Sequence, residues 1–175
     1  MVLYRSNLGK LKSWEASDQM LSNEPFDFIS PPATRSTRKP RRRGLTMMID
    51  QGLPAGVQAD LLETAGAHID LAKFKTGTSR LYPLAVLERK IRACLAHEVK
   101  PFVGGQFHEY VFATEGTSGL PTFYAEARRV GFKCLEISDN VVPLTSQERR
   151  DLIRRAVDAG FEVFGEVGGK DRRTT

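Results

Sequence analysis

Residues 68–79, His-Ile-Asp-Leu-Ala-Lys-Phe-Lys-Thr-Gly-Thr-Ser, read as a strand that runs into a loop. In an extended chain Ile69, Leu71, Lys73 and Lys75 share one side, and Asp70, Ala72 and Phe74 share the other. A lysine inside an apolar strand needs a partner, because burying an unpaired ammonium is costly. Two lysines and an aspartate beside Gly77, Thr78 and Ser79 offer charge, backbone N–H groups and hydroxyls to an anion. The plainer alternative is that Lys75 is solvated and Lys73 forms a structural ion pair.

Outward from this strand the chain alternates. Upstream, 45–50 (LTMMID) is a short apolar strand. Residues 54–65 carry Val57, Leu61 and Leu62 at helical spacing and close on Gly66. Downstream, 83–98 is an amphipathic helix with an apolar stripe of Leu84, Leu87, Ile91 and Leu95. The spacing predicts a strand at 100–105, a helix at 120–130 and a strand at 132–139. A helix at 145–159 follows, opened by a Thr145/Glu148 capping box, and a last strand spans 161–168. Gly131-Phe132 and Gly160-Phe161 punctuate the last two units in the same way. Five strands separated by helices imply a parallel sheet, either an open doubly wound sheet or a (β/α)8 barrel. No GxGxxG or GxxxxGKS follows the first strand, which disfavours a nucleotide-binding open sheet.

The chain has 175 residues, 41% hydrophobic and 27% charged, the range of one ordinary globular domain. No apolar run approaches the ~20 residues of a membrane span. The first residues, MVLYRSNLGKLKSWEASDQ, show no apolar signal segment. Cys94 and Cys134 fit no metal spacing and read as reduced core residues of a cytoplasmic protein. Residues 1–38 read as a weakly ordered arm and 39–175 as the folded domain. The net charge is +5, and much of the excess lies in 35–43. That run has no interleaved aromatics, so it reads as a solvated arm rather than a nucleic-acid site.

Polar residues gather near the strands' C-terminal ends. Asp50 closes the first strand, and Asp70, Lys73 and Lys75 lie along the second. Gly104, Gly105, Gln106, His108 and Glu109 follow the third; Glu136, Ser138 and Asp139 follow the fourth; Glu166, Lys170 and Asp171 follow the fifth. Parallel α/β folds bind ligands at this edge. Any one of these acids alone could cap a helix. A row of carboxylates without paired histidines suits a hard cation such as Mg²⁺, and a lysine beside it suits proton transfer or anion binding.

The runs KPRRRGLTMMIDQG, HIDLAKFKTGTS, PFVGGQFHE, GFKCLEISD and GFEVFGEVGGKD, with the Lys90 helix between them, resemble the phosphosulfolactate synthase family in order and spacing from 39 to 171. The resemblance implies an α/β fold of (β/α)8 TIM-barrel type. It implies a cytoplasmic lyase that adds sulfite to phosphoenolpyruvate, giving 2-phospho-3-sulfolactate with Mg²⁺ on a route to coenzyme M. On that resemblance Lys73 is the expected acid, with Asp70 or Glu136 tuning it. Glu109, Glu136, Asp139 and Glu166 are the expected metal ligands. The expected substrate binders are Lys39, Arg41, Lys75, Thr78, Ser79, Gly104, Gly105, Gln106 and Lys170. Only about five βα units are present against the ~250 residues of a complete barrel. The expectation is therefore a partial barrel or open parallel sheet, and a homo-oligomer. The alternatives are a catalytically inactive barrel remnant that binds a partner, and a Schiff-base aldolase using Lys73.

Overall fold

The computed structural model describes residues 25–30, 32–34, 36 and 38–167. Met1–Arg35 and Ser36–Thr175 form separate units. The arm expected at 1–38 lies largely outside the described residues. In its described part Ile29 N–H donates to Phe26 O at 2.9 Å, closing a turn.

In the second unit five parallel strands form one sheet: β1 (Met47–Asp50), β2 (Leu71–Phe74), β3 (Lys100–Val103), β4 (Cys134–Ile137) and β5 (Glu162–Gly165). Their spatial order is β1-β2-β3-β4-β5. Every crossover therefore steps in the same direction. With the fixed handedness of βαβ units, all the helices then fall on one face. A doubly wound sheet reverses direction and places helices on both faces; this sheet does neither. It is an open α/β sheet of the kind that forms part of a (β/α)8 barrel.

The helices are α1 (Ala55–Ala65), α2 (Thr78–Leu81), α3 (Leu84–Ala96), α4 (Gly105–Arg129) and α5 (Ser146–Asp158), with a 3-10 turn at Gly66–His68. Their apolar stripes cover the face carrying Ala72, Phe74, Val103, Leu135 and Ile137. Leu62, Leu87, Ile91, Leu120, Leu152 and Phe161 pack there into one core. Cys94 and Cys134 are both free and buried, as expected of core cysteines. Among the described residues no helix is long and apolar enough to cross a membrane.

The sequence reading holds for the five strands and four of the helices in order, the short α2 falls where a loop is expected, and the structure trims the strands to four residues each. The Thr145–Glu148 capping box is present. Gly131 (φ 108°) and Gly160 (φ 85°) take the left-handed conformation that ends α4 and α5. Gly66 does not; its φ is −56°, and it continues α1 into the 3-10 turn. The larger departure is α4, which starts fifteen residues earlier than the expected 120, at Gly105. Gly116 (φ 63°, ψ −163°) breaks it into two segments. Pro121 thereby falls near the start of the second segment, five residues past the break, rather than in the middle of a continuous helix.

Candidate functional site

Register and side-chain alternation place Ile49, Lys73, Phe102, Cys134, Glu136 and Phe164 on the face opposite the helices. This is the concave face of a barrel. Phe102 and Phe164 pack against each other on it, with ring centroids 5.0 Å apart. Beyond them, at the strands' C-terminal ends, Lys73 of β2 reaches across β3 to Glu136 of β4. Lys73 Nζ lies 2.9 Å from Glu136 Oε1 and 2.7 Å from Oε2. Both side chains are more than nine-tenths buried. Gly104, at the end of β3, makes the crossing possible: a Cβ there would sit 3.2 Å from Lys73 Cε. The first N–H of α4, from Gly105, donates to Glu136 Oε2 at 2.6 Å. A side chain at Gly105 would collide with Ser138 Cβ at 2.7 Å. The two glycines thus let a lysine stem and a helix N-terminus converge on one carboxylate.

A second carboxylate joins them. Glu166, just past β5, has Oε2 3.4 Å from Lys73 Nζ. The same oxygen accepts from Asn140 Nδ2 at 2.8 Å. Asn140 lies in the loop after β4, and Glu109 of α4 organises that loop. Glu109 accepts from Ser138 Oγ and from the backbone N–H groups of Asn140 (3.1 Å), Val141 (2.7 Å) and Val142 (2.8 Å). Four donors on one buried carboxylate leave it a structural anchor.

The loop after β2 flanks this cluster. Thr76 and Gly77 take positive φ, turning the chain into α2. Thr76 Oγ1 donates to Gln106 Oε1 at 3.0 Å, tying the loop to α4. Ser79 is buried, and Thr78 Oγ1 is buried with no hydrogen-bond partner among the described residues. Lys75 is half-buried, and its backbone N–H donates to Asp50 O. A groove of about 650 Å³ opens beside these residues, lined by Thr76, Gln106, Tyr110 and Val141.

Several expected residues are elsewhere. Lys39, Arg41 and Asp70 are at the opposite end of the sheet. Lys39 Nζ donates to His97 O at 2.7 Å, just upstream of β3. Arg41 donates to Ala67 O and lies 3.5 Å from Asp70 Oδ1. Asp70 Oδ2 accepts from Thr46 N–H, which enters β1. All these partners precede their strands. Asp70 therefore does not tune Lys73, and Lys39 and Arg41 do not line the Lys73 site. They brace the strand starts, and the basic run is partly consumed in doing so. Asp139 turns away to pair with Arg149 of α5. Lys170 and Asp171 lie outside the described residues. Asp50, at the end of β1, points into the helix side, where Lys90 Nζ lies 2.8 Å from Oδ2 with both side chains fully buried. Asp50 Oδ1 accepts from Gly52 N–H, Leu53 N–H and Tyr82 OH.

The four expected metal ligands thus do not meet. Glu109 is saturated and Asp139 is diverted. Among the described residues no three His, Cys, Asp or Glu side chains converge as a metal site would require. Glu136 and Glu166 do converge, on Lys73. Beside them Asn140 Oδ1 is buried and has no hydrogen-bond partner among the described residues. Two carboxylates and an orphaned amide oxygen form an all-oxygen set that fits a hard cation. Sequence reasoning missed Asn140 because its neighbour Asp139 carried the charge. The run Ser138-Asp139-Asn140 at the end of β4 was the available signal.

A family profile described as (2R)-phospho-3-sulfolactate synthase (ComA) matches residues 34–175. The phosphosulfolactate synthase of Methanothermobacter thermautotrophicus is 36% identical over 146 residues, covering 83% of this chain and 54% of that protein. The phosphosulfolactate synthase of Bacillus subtilis is 35% identical, over 77% of this chain and 51% of its own length. Protein HEAT-STRESS-ASSOCIATED 32 of Arabidopsis thaliana is 25% identical, over 71% and 44%. The chain spans about half the length of the curated relatives it matches. Among solved structures, that of CpGH84B superposes with a TM-score of 0.50 at 11% identity, over 70% of this chain and 27% of that one, a likeness of fold alone.

Proposed function

This chain belongs to the (2R)-phospho-3-sulfolactate synthase family, and from that membership we propose that its site adds sulfite to phosphoenolpyruvate. The product is 2-phospho-3-sulfolactate, and the work is that of a lyase with Lys73 as acid and Mg²⁺ as cofactor. The observation that carries the proposal is the Lys73–Glu136 pair, buried on the concave face at the strand ends with Glu166 beside it.

The chemistry asks for what these residues offer. The sulfur lone pair of sulfite bonds to the methylene carbon of phosphoenolpyruvate. The displaced π pair moves toward the carboxylate, giving an enediolate. A proton then reaches the carbon bearing the phosphate. Lys73 delivers it from Nζ, which Glu136 and Glu166 hold at the mouth of the concave face. When bound, Mg²⁺ supplies positive charge against the substrate carboxylate; Glu136, Glu166 and Asn140 are the residues that would hold it. Lys75, the Thr78 hydroxyl, Ser79 and Gln106 receive the sulfite or phosphate oxygens, with Lys170 in the same role. Gly104 and Gly105 shape the site by what they lack.

The test is incubation of the folded protein with phosphoenolpyruvate, sulfite and Mg²⁺, followed by mass spectrometry. Phosphosulfolactate that disappears with a chelator supports the proposal. Lys73→Ala is expected to lower turnover by about 10²-fold or more, the usual worth of a positioned acid. Unchanged turnover removes Lys73 from the mechanism.

A further inference from the structure

A groove of about 580 Å³ lies on the helix side of the sheet, with α2 and α3 on one bank and both segments of α4 on the other. Arg80 and Phe107 stand between it and the groove at the catalytic edge, since they line both. Its body is apolar and rich in rings: Tyr82, Leu87, Phe107, Val111, Phe123 and Phe132 line it. Phe107 and Phe123 meet edge to face with centroids 5.4 Å apart, which braces that wall. The volume falls within the ~300–1,000 Å³ of small-molecule sites, which combine an apolar lining with a few placed polar groups.

The charged residues of the groove narrow the ligand. Glu126 and Arg129 answer each other through contacts of 2.6 and 2.7 Å. Arg80 and Glu115 remain. Both are exposed, and neither side chain has a partner among the described residues, each other included. An uncharged apolar ligand would answer neither of them. An anion would meet a like charge in Glu115, and a cation would meet one in Arg80. A ligand that answers both carries a carboxylate and an ammonium on an apolar body, and the guanidinium fork of Arg80 is shaped for the carboxylate. We infer that this groove binds a free α-amino acid with an aromatic side chain. The ring enters between α3 and α4, the carboxylate faces Arg80 and the ammonium faces Glu115. The inference goes beyond the proposed reaction and does not depend on its substrates.

Amide-resolved nuclear magnetic resonance titration of the purified chain tests it, with L-phenylalanine as ligand and 3-phenylpropanoate and 2-phenylethylamine as probes that each lack one charge. Phenylalanine is expected to shift the amides of Arg80, Val111 and Phe123 saturably, and to bind about fivefold or more tighter than either probe. Arg80→Met should cancel its advantage over 2-phenylethylamine, and Glu115→Gln its advantage over 3-phenylpropanoate. Partial unfolding cannot imitate these changes of preference, because it weakens all three compounds together. Thr122→Trp, at an exposed position lining the groove, should fill it and abolish binding with the amide spectrum otherwise retained. No saturable shift with phenylalanine, equal affinity for phenylalanine and both probes, or preferences unmoved by either charge variant overturns the inference. Shifts confined to Gln106, Tyr110 and Val141 also overturn it, because the ligand would then lie in the catalytic groove. Wild type that sediments as a dimer while Thr122→Trp sediments as a monomer assigns the groove to a second copy of the chain, and overturns it as well.

Discussion

Replacing both members of the Lys73–Glu136 pair is expected to cost far less stability than replacing either one. At 2.7–2.9 Å and an effective dielectric of about 20, their attraction is roughly 6 kcal/mol. Desolvation of two side chains buried this deeply costs several kcal/mol per ion, so the intact pair comes close to breaking even. Lys73→Met strands Glu136 among apolar strands with Gly105 N–H as its remaining partner. Glu136→Leu strands Lys73 with only the longer contact to Glu166. Each single change is expected to cost about 3–5 kcal/mol. The double variant removes both charges and leaves chiefly the Gly105 N–H without an acceptor, about 1–2 kcal/mol. Urea unfolding followed by far-ultraviolet circular dichroism closes the double-mutant cycle. The expected coupling is at least about 4 kcal/mol, with product formation abolished in all three variants. A double variant destabilised by the sum of the singles would refute the reasoning, because the two charges would then not depend on each other.

Two further perturbations probe the surrounding frame. His108 is buried against Tyr124, whose hydroxyl lies 2.9 Å from Nε2, and burial lowers its pKa from 6.5 to about 4. Between those values the unfolded chain takes up a proton that the folded chain refuses. Stability is therefore intact above about pH 6.5 and falls as the pH drops toward 4, by roughly 3 kcal/mol from this residue. Unfolding free energies of wild type and His108→Gln measured across that range should converge by this amount, and parallel curves would show that His108 is not responsible. Gly105→Ala places a methyl against Ser138, whose hydroxyl is already committed to Glu109. It is expected to cost about 1–3 kcal/mol and to reduce turnover, with Ser138→Gly restoring part of the stability; a neutral Gly105→Ala would mean that the helix start has room to move.

The alternating pattern of apolar runs and capped helices was legible because each strand is buried on its helix side and each helix has one apolar stripe. Lys73, Glu136 and Glu166 were legible for a related reason: a charge at the end of a buried strand must be answered by another. What the pattern could not supply was the third dimension. Asp70 is only three residues from Lys73, but that distance, about 10 Å of strand, separates one end of the sheet from the other. Glu109 read as a loop acid because 105–119, rich in glycine, threonine and serine, hides the first half of α4. Once that half is helical, Glu109 faces the backbone of the next loop and its lone pairs are taken. Asn140 carries no charge and so gave no electrostatic signal; only its oxygen, unpartnered among the described residues, marks it.

The strictly sequential strand order also bears on how the site is born. Each strand pairs only with the one before it and the one after, so most of the sheet is made of contacts between chain neighbours. Such a chain can nucleate at any adjacent pair of strands and spread outward, much as a solenoid does. The contacts of Lys73 break that rule. Its partner Glu136 is 63 residues away and Glu166 is 93 residues away. Three crossovers must close before the ammonium meets both carboxylates. The scaffold forms by local steps, and the lysine cluster is complete only when the second to fifth strands are all in place, so chemical competence waits on four strands rather than on one local pair.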